Sequence, residues 1–268
     1  MENLLNFTIK TAKKAGKLIL KESKKPLQVT QKKKNDLVTQ VDQSSEKLII
    51  KEILKKYPNH SILAEESANK LTKINSKYIW IIDPIDGTTN FTHGLPQYSV
   101  SIALMEVKSK KSSQNYNYLD GEIIIGVVFA PKLGELFYAE KGKGAYLNGE
   151  KISVSKIKKL EESLLVTGFP PTHKEENLKH FAKMINKCQA VRRLGSAALD
   201  LAYIACGRFD GYWEFGLHPW DIAAGALIVK EAGGKVSDSN GQMLDLFGKD
   251  ILASNAKIDK EIIKNLSK

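Results

Sequence analysis

The chain has 268 residues, 42% hydrophobic and 26% charged, and its 41 Lys and Arg against 30 Asp and Glu give a formal net charge of +11. That balance supplies a sizeable core and excludes a disordered tail, a collagen-like repeat and a disulfide miniprotein. Only three of the bases are arginines, Arg192, Arg193 and Arg208, so the excess is a diffuse lysine charge rather than the guanidinium forks that read nucleic-acid bases. It suits steering of an anionic substrate or weak RNA contact. Cys188 and Cys206 fall in no zinc or redox spacing, which fits reduced thiols in a cytoplasmic protein. No window approaches a membrane span.

In chain order, Leu5, Ile9, Ala12, Ala15 and Ile19 recur at helical spacing and predict a one-faced helix over 3–23, closed by Pro26. A basic run, Lys32, Lys33 and Lys34, leads into Asp36-Leu-Val-Thr-Gln-Val-Asp42. A second helix is expected over 43–57, with Leu48, Ile49, Ile53 and Leu54 inward, and Pro58-Asn59 stops it. Ser61-Ile-Leu-Ala64 reads as a short strand running into Glu65. The apolar run Tyr78 to Ile82 reads as a strand buried on both faces, ending in a tight turn at Asp83-Pro-Ile-Asp86-Gly-Thr-Thr. Strands follow near 98–107, 122–130 and 135–140, with 108–120 as an exposed hairpin loop. The second half alternates: strand 163–168, helix 174–187, strand 190–193, helix 196–206, strand 209–215, helix 221–232, strands 234–238 and 250–254, helix 258–266. Alternation of this kind argues for an α/β layered fold, in one compact unit of two halves, 1–150 and 151–268.

The acids that carry chemistry stand where elements end. Asp83 and Asp86 flank Pro84-Ile85, and Pro84 has no N–H to donate, so two carboxylates and the Ile85 carbonyl can converge on a cation. Hard oxygen ligands without thiolates or paired histidines suit Mg²⁺. Gly87, Thr88 and Thr89 open a helix whose amides can cradle a phosphate. Glu65, after a strand, can add an oxygen ligand. Asp221 in Leu217-His-Pro-Trp-Asp-Ile-Ala-Ala-Gly sits in a first helical turn, where a capping acid is the ordinary reading. Metal-bridged phosphate beside a metal-activated water is the core of phosphoester hydrolysis.

These residues resemble the inositol monophosphatase family: Ala64-Glu-Glu-Ser67, then Trp80-Ile-Ile-Asp-Pro-Ile-Asp-Gly-Thr-Thr-Asn-Phe91, then Trp220-Asp-Ile-Ala-Ala-Gly225. Asp42, the segment Arg193-Leu-Gly-Ser-Ala-Ala-Leu-Asp200 and Gly211-Tyr-Trp-Glu-Phe-Gly216 fall in the same order and spacing. The resemblance covers nearly the whole chain and leans to the bacterial branch. It implies a layered α-β-α-β-α sugar-phosphatase sandwich, usually a homodimer, and a Mg²⁺-dependent, lithium-sensitive phosphatase acting on a small phosphorylated polyol, inositol-1-phosphate foremost. It implies two Mg²⁺ ions with a weaker third. Glu65, Asp83 and the Ile85 carbonyl would hold the first, and Asp83, Asp86 and Asp221 the second. Glu65, and Thr88 in concert with Asp42, would orient the attacking water. Gly87 and Thr88 would hold phosphate oxygens, and Glu214 with Gly195, Ser196 and Ala197 the polyol. A mobile basic residue near the third ion would be one of Lys32, Lys33 and Lys34. Alternatives on the same fold are a broader sugar phosphatase, including fructose-1,6-bisphosphate, and an RNA- or transcription-associated binding protein, for which the +11 charge is the sequence support.

Other signals carry less. Gly142-Lys-Gly144 lacks the helix a dinucleotide loop needs. His218 reads as a packing or hydrogen-bonding group, His93 as structural, and Trp80 and Trp220 as core. Arg192 and Arg193 suit an interface ion pair or an acidic substrate.

Overall fold

The computed structural model describes residues 3–33, 36–67, 76–110, 119–170, 173–248 and 250–266. The centre of the long hairpin loop, 111–118, lies outside them, as do the side chains of the basic run 32–34.

Two helices, α1 (Leu4–Glu22) and α2 (Gln40–Lys56), form the first layer, joined by a hairpin of β1 (Val29–Lys33) and β2 (Asp36–Thr39). Phe7, Ala12, Ala15, Ile19, Ile49 and Ile53 turn inward from them. A seven-stranded sheet is the second layer: β3 (Ser61–Ala64), β4 (Tyr78–Asp86), β5 (Ser99–Lys110), β6 (Leu119–Ala130), β7 (Glu135–Glu140), β8 (Ala145–Leu147) and β9 (Glu150–Lys151), in that spatial order. β3 and β4 run parallel, and every other neighbour is antiparallel. Beyond β4 a short helix, α3 (Thr88–Thr92), returns the chain to the sheet.

The second half supplies a five-stranded sheet from β10 (Leu164–Thr167), β11 (Ala190–Arg192), β12 (Gly211–Phe215), β13 (Lys235–Ser237) and β14 (Asp250–Ser254), ordered β11-β10-β12-β14-β13. Helices α5 (Ala197–Ala205) and α6 (Pro219–Glu231) lie between the two sheets, and α4 (Lys174–Met184) and α7 (Asp259–Leu266) cover the outer face.

Strand parity shows the five layers. In β4, Trp80 and Ile82 pack toward α1 and α2, while Ile79 and Ile81 pack toward α5 and α6. In β12, Tyr212 faces the inner helices and Trp213 the outer ones. A strand buried on both faces needs an unbroken apolar run, and a helix between two sheets needs apolar residues all round. Eight consecutive residues of α6, Ile222 through Val229, are accordingly buried. The architecture is the α-β-α-β-α sandwich that the sequence implied.

Three elements differ from the expectation. The α2 helix begins at Gln40 rather than 43, because Thr39 caps it and the Asp42 carboxylate accepts in return from the Thr39 amide. The β1–β2 hairpin was not anticipated, since its lysine-rich strand offers no apolar alternation. The α4 helix ends at Met184, three residues early.

The inner helices sit close to the sheet. A Cβ at Gly126 in β6 would lie 2.6 Å from the Ala224 carbonyl oxygen of α6. Gly126→Ala is expected to cost about 2 kcal/mol, read as a lower urea midpoint at unchanged m-value.

Candidate active site

The end of β4 organises the site. Between Asp83 and Asp86 the strand advances three residues while β5 advances two, from Ser101 to Ser99. This bulge sits at Pro84, which has no ladder donor to lose. Residues three apart on a regular strand face opposite sides; the extra residue restores a common side for both carboxylates. The segment is thus a bulged strand end rather than the expected tight turn. Asp83 Oδ1 accepts from the Ile85 amide at 3.0 Å. The Pro84 carbonyl accepts from Ser45 Oγ of α2 at 3.2 Å.

Gly87 follows with φ of 90°, and a Cβ there would lie 2.9 Å from the Gln97 carbonyl and 3.0 Å from that of Gly195. Only glycine meets both the left-handed backbone and the close approach. Asn90 of α3 donates to the Gln97 carbonyl at 2.6 Å and to the Leu194 carbonyl at 2.7 Å. The Gly87 turn is thereby tied to the segment holding Gly195, Ser196 and Ala197. Asp86 Oδ2 completes the tie, accepting from Ser196 Oγ at 2.6 Å and the Ala198 amide at 2.7 Å.

Thr88 Oγ1 lies 2.8 Å from Asp42 Oδ1 and 3.0 Å from the Ile85 carbonyl. Asp42 is itself held by Thr39, whose amide and hydroxyl both donate to Oδ2. The capping box of α2 therefore also aims the partner of Thr88. Thr39→Ala is expected to cost about 1 kcal/mol through the lost cap, seen as a lower melting temperature, and to loosen Asp42 in the same step.

Glu65 stands at the end of β3, its amide donating to the Ile82 carbonyl at 3.1 Å. Asp221 enters from the first turn of α6, and its Oδ2 accepts from the His218 amide at 2.7 Å. The capping reading of Asp221 is therefore correct, and it coexists with a place in the site. The residue is half-buried.

The four acids raise one another's pKa. Burial holds Asp83 well above the usual carboxylate range, and Glu65, Asp86 and Asp221 push it further. Burial does the same to Asp221, with Asp86 and Glu65 adding to it. Asp86 is pushed up to about 6 by burial, against the pull of Ser196 and Ala198. Among the described residues these side chains do not close into a ready three-ligand cage; they share a field rather than a finished shell. Hard carboxylate oxygens that ionise reluctantly in each other's presence are groups that could hold a divalent cation.

On the far side, Glu214 of β12 is buried and pushed up to about 7, by burial first, while the Tyr212 hydroxyl donates to its Oε2 at 2.7 Å. Its carboxylate lies against Gly168, where a Cβ would stand 2.1 Å from Oε2.

The profile of the inositol monophosphatase family matches residues 1–268. The chain belongs to this family. It is 42% identical to the Nus factor SuhB of Escherichia coli K12 over 99% of this chain and 96% of that one. It superposes on the suhB protein of Bartonella henselae with a TM-score of 0.88 at 39% identity, covering 99% of this chain and 98% of that one. An inositol monophosphatase from Anabaena superposes with a TM-score of 0.84 at 38% identity, covering 98% and 94%.

In this member of the inositol monophosphatase family, Asp42, Glu65, Asp83, Ile85, Asp86, Gly87, Thr88, Gly195, Ser196, Ala197, Glu214 and Asp221 stand on or beside β3, β4, α2, α3, α5, α6 and β12, while the basic residue expected among Lys32, Lys33 and Lys34 has its side chain outside the described residues. His218 stacks on Trp220 at 4.7 Å between ring centroids, a packing role. His93 is the exposed C-cap of α3, and Trp80 is fully buried. Four residues were missed: Thr39 and Tyr212, which hold the side chains of Asp42 and Glu214, Asn90, which ties the backbone carbonyls of Gln97 and Leu194 together, and the buried Asp200. Each lies inside a quoted motif, but a role through hydrogen bonding leaves no spacing signal. Asp200 did leave one, as the sole charge in the otherwise apolar run from Ala197 to Cys206.

Proposed function

We propose that this family member is a Mg²⁺-dependent phosphomonoesterase that hydrolyses inositol-1-phosphate to inositol and phosphate. The observation that carries the reading is the mutual field of Glu65, Asp83, Asp86 and Asp221 beside the Asp42–Thr88 pair. Glu65, Asp83 and the Ile85 carbonyl would hold one ion, and Asp83, Asp86 and Asp221 a second, with Glu65 serving a weaker third. Mg²⁺ bound there would supply Lewis acidity toward the phosphoryl oxygens and the attacking water.

The chain's own groups do the positioning. Asp42 takes the Thr88 hydroxyl proton into a hydrogen bond, so Oγ1 presents lone pairs to a water. Glu65 offers a second acceptor for that water. The Gly87 and Thr88 amides donate to phosphate oxygens. Glu214, with Gly195, Ser196 and Ala197, receives the polyol hydroxyls. The family resemblance adds a homodimer, which light scattering tests.

Phosphate release from inositol-1-phosphate, fructose-1,6-bisphosphate, phosphoadenosine phosphate, histidinol phosphate and 2′-AMP, with and without Mg²⁺, tests this function. Mg²⁺-dependent preference for inositol-1-phosphate is expected. Preference for another ester keeps the metal chemistry and overturns the substrate.

A second reading has its own observations, the Nus factor name of a relative and the +11 charge. It expects RNA binding that weakens steeply with salt; no binding at moderate salt removes it.

A further inference from the structure

Glycine at 168 is not demanded by its backbone. Gly168 is absent from the glycines of positive φ, so its conformation is one that a residue with a side chain adopts. What excludes a side chain there is Glu214. A Cβ at Gly168 would stand 2.1 Å from Glu214 Oε2 and 2.3 Å from both Cδ and Oε1. The whole carboxyl group of Glu214 lies in the space that a side chain at 168 would take.

The register explains the crowding. β10 and β12 run parallel with Thr167 beside Trp213, so Gly168 comes next to Glu214, and neighbours in register share a face of the sheet. Thr167 Oγ1 donates to the Trp213 carbonyl at 2.6 Å and ties the two strands together at this point. Tyr212, two residues back on the same face, donates to Glu214 Oε2 at 2.7 Å. Thr167, Tyr212 and Glu214 are all buried. The carboxyl therefore lies across the ladder, over Gly168, with Tyr212 holding one oxygen. An ordinary contact needs about 3.5 Å, so a methyl at 168 would drive the carboxyl about 1 Å from its seat. At Gly126 the obstacle is a backbone carbonyl, which cannot move alone; at Gly168 it is the end of a side chain, which can. The cost falls on the placing of an acceptor rather than on the fold.

We propose that Gly168 is a specificity-determining position, whose missing side chain seats the Glu214 carboxylate at the depth from which it receives the hydroxyls of a polyol ester. Gly168 touches no substrate in this reading; it acts through Glu214. A displacement of about 1 Å is enough to spoil a recognition geometry, and an acceptor out of place penalises only a substrate whose hydroxyls must meet it. This rests on the phosphatase reading above and deepens it.

The test measures kcat/KM on inositol-1-phosphate and on p-nitrophenyl phosphate, which has no polyol hydroxyls, for wild type, Gly168→Ala, Glu214→Asp and the double variant. In Gly168→Ala the ratio of inositol ester to nitrophenyl ester is expected to fall about tenfold, with the loss in KM for the inositol ester. Its urea midpoint is expected to stay near that of wild type. Aspartate is one methylene shorter and clears the space, so in the Glu214→Asp background Gly168→Ala is expected to change the ratio by less than about twofold. An unchanged ratio in folded Gly168→Ala overturns the proposal. So does a loss that persists in full in the Glu214→Asp background, since the methyl would then act through another group. A lower urea midpoint with both esters impaired alike marks a packing glycine and overturns it too. If Gly168→Ala folds only in the Glu214→Asp background, the clash is with Glu214 and the proposal is supported; folding in neither background overturns it. A wild-type protein that turns over neither ester removes the phosphatase reading and this one with it. An active wild type with an unchanged ratio in Gly168→Ala removes this one alone.

Discussion

Asp86→Asn is expected to lower kcat/KM by about 10³-fold while leaving the fold intact. Asp86 does two separable things. Its Oδ2 accepts from Ser196 and Ala198 and so ties the end of β4 to the start of α5. The amide oxygen of Asn can accept the same two bonds. What Asn cannot supply is a negative charge on the side that faces Asp83 and Asp221. The fold should therefore remain while cation affinity and turnover collapse. The metal-free variant should even match or exceed wild type in stability above neutral pH. Asp86 titrates near 6 in the folded chain against 3.8 in an unfolded one, so ionising it there opposes folding by about 3 kcal/mol. Steady-state kinetics and a thermal melt, on the same preparation, read both halves. A folded Asp86→Asn protein with near-normal turnover would sink the metal assignment.

The ends of the strands were the legible part of this chain, for a physical reason. A strand buried on both faces must be apolar without a break, so Ile79 through Ile82 announce themselves, and the first charges after them must lie at the sheet's edge. Asp83 and Asp86 are found in that way, Glu65 by its place after β3, and carboxylate oxygens of this type would suit a hard cation. The α1 stripe and the apolar α6 were readable on the same grounds. What stayed hidden was assembled by the fold. The bulge at Pro84 depends on pairing with Ser99 and Ser101, fifteen and seventeen residues further along the chain. The hold of Asn90 on Leu194 spans 104 residues, and that of Asp86 on Ala198 spans 112. Spacing within a segment carries no trace of such contacts. Asp221 shows a subtler limit. Its capping bond to His218 is real, so a local reading was right about the atom and silent about the site that the same carboxyl faces.

Stabilisation of the metal-free protein by Mg²⁺ is expected to grow with pH, from little at about pH 5 to a large rise in melting temperature at about pH 8. The sign follows from the acids. Asp83, Asp86, Asp221, Asp200 and Glu214 all have folded pKa values above their unfolded ones. Each therefore binds more protons folded than unfolded. Its contribution is fully present below the unfolded value and is lost as pH rises through the folded one. For Asp86 that window runs from 3.8 to about 6, and for Glu214 from 4.5 to about 7. The metal-free chain should accordingly lose stability across this range. A divalent cation binds the ionised carboxylates and competes with the same protons, so its affinity climbs as they leave. At a hundredfold excess over its dissociation constant it returns about 2.7 kcal/mol. Asp86→Asn should flatten the dependence, because it removes one of the competing protons together with its ligand. Thermal melts at the two pH values, with chelator and with Mg²⁺, measure it. Equal stabilisation at both would mean that the cation binds away from these acids. No stabilisation at the higher pH would mean that the shared field of Glu65, Asp83, Asp86 and Asp221 is relieved by some means other than Mg²⁺.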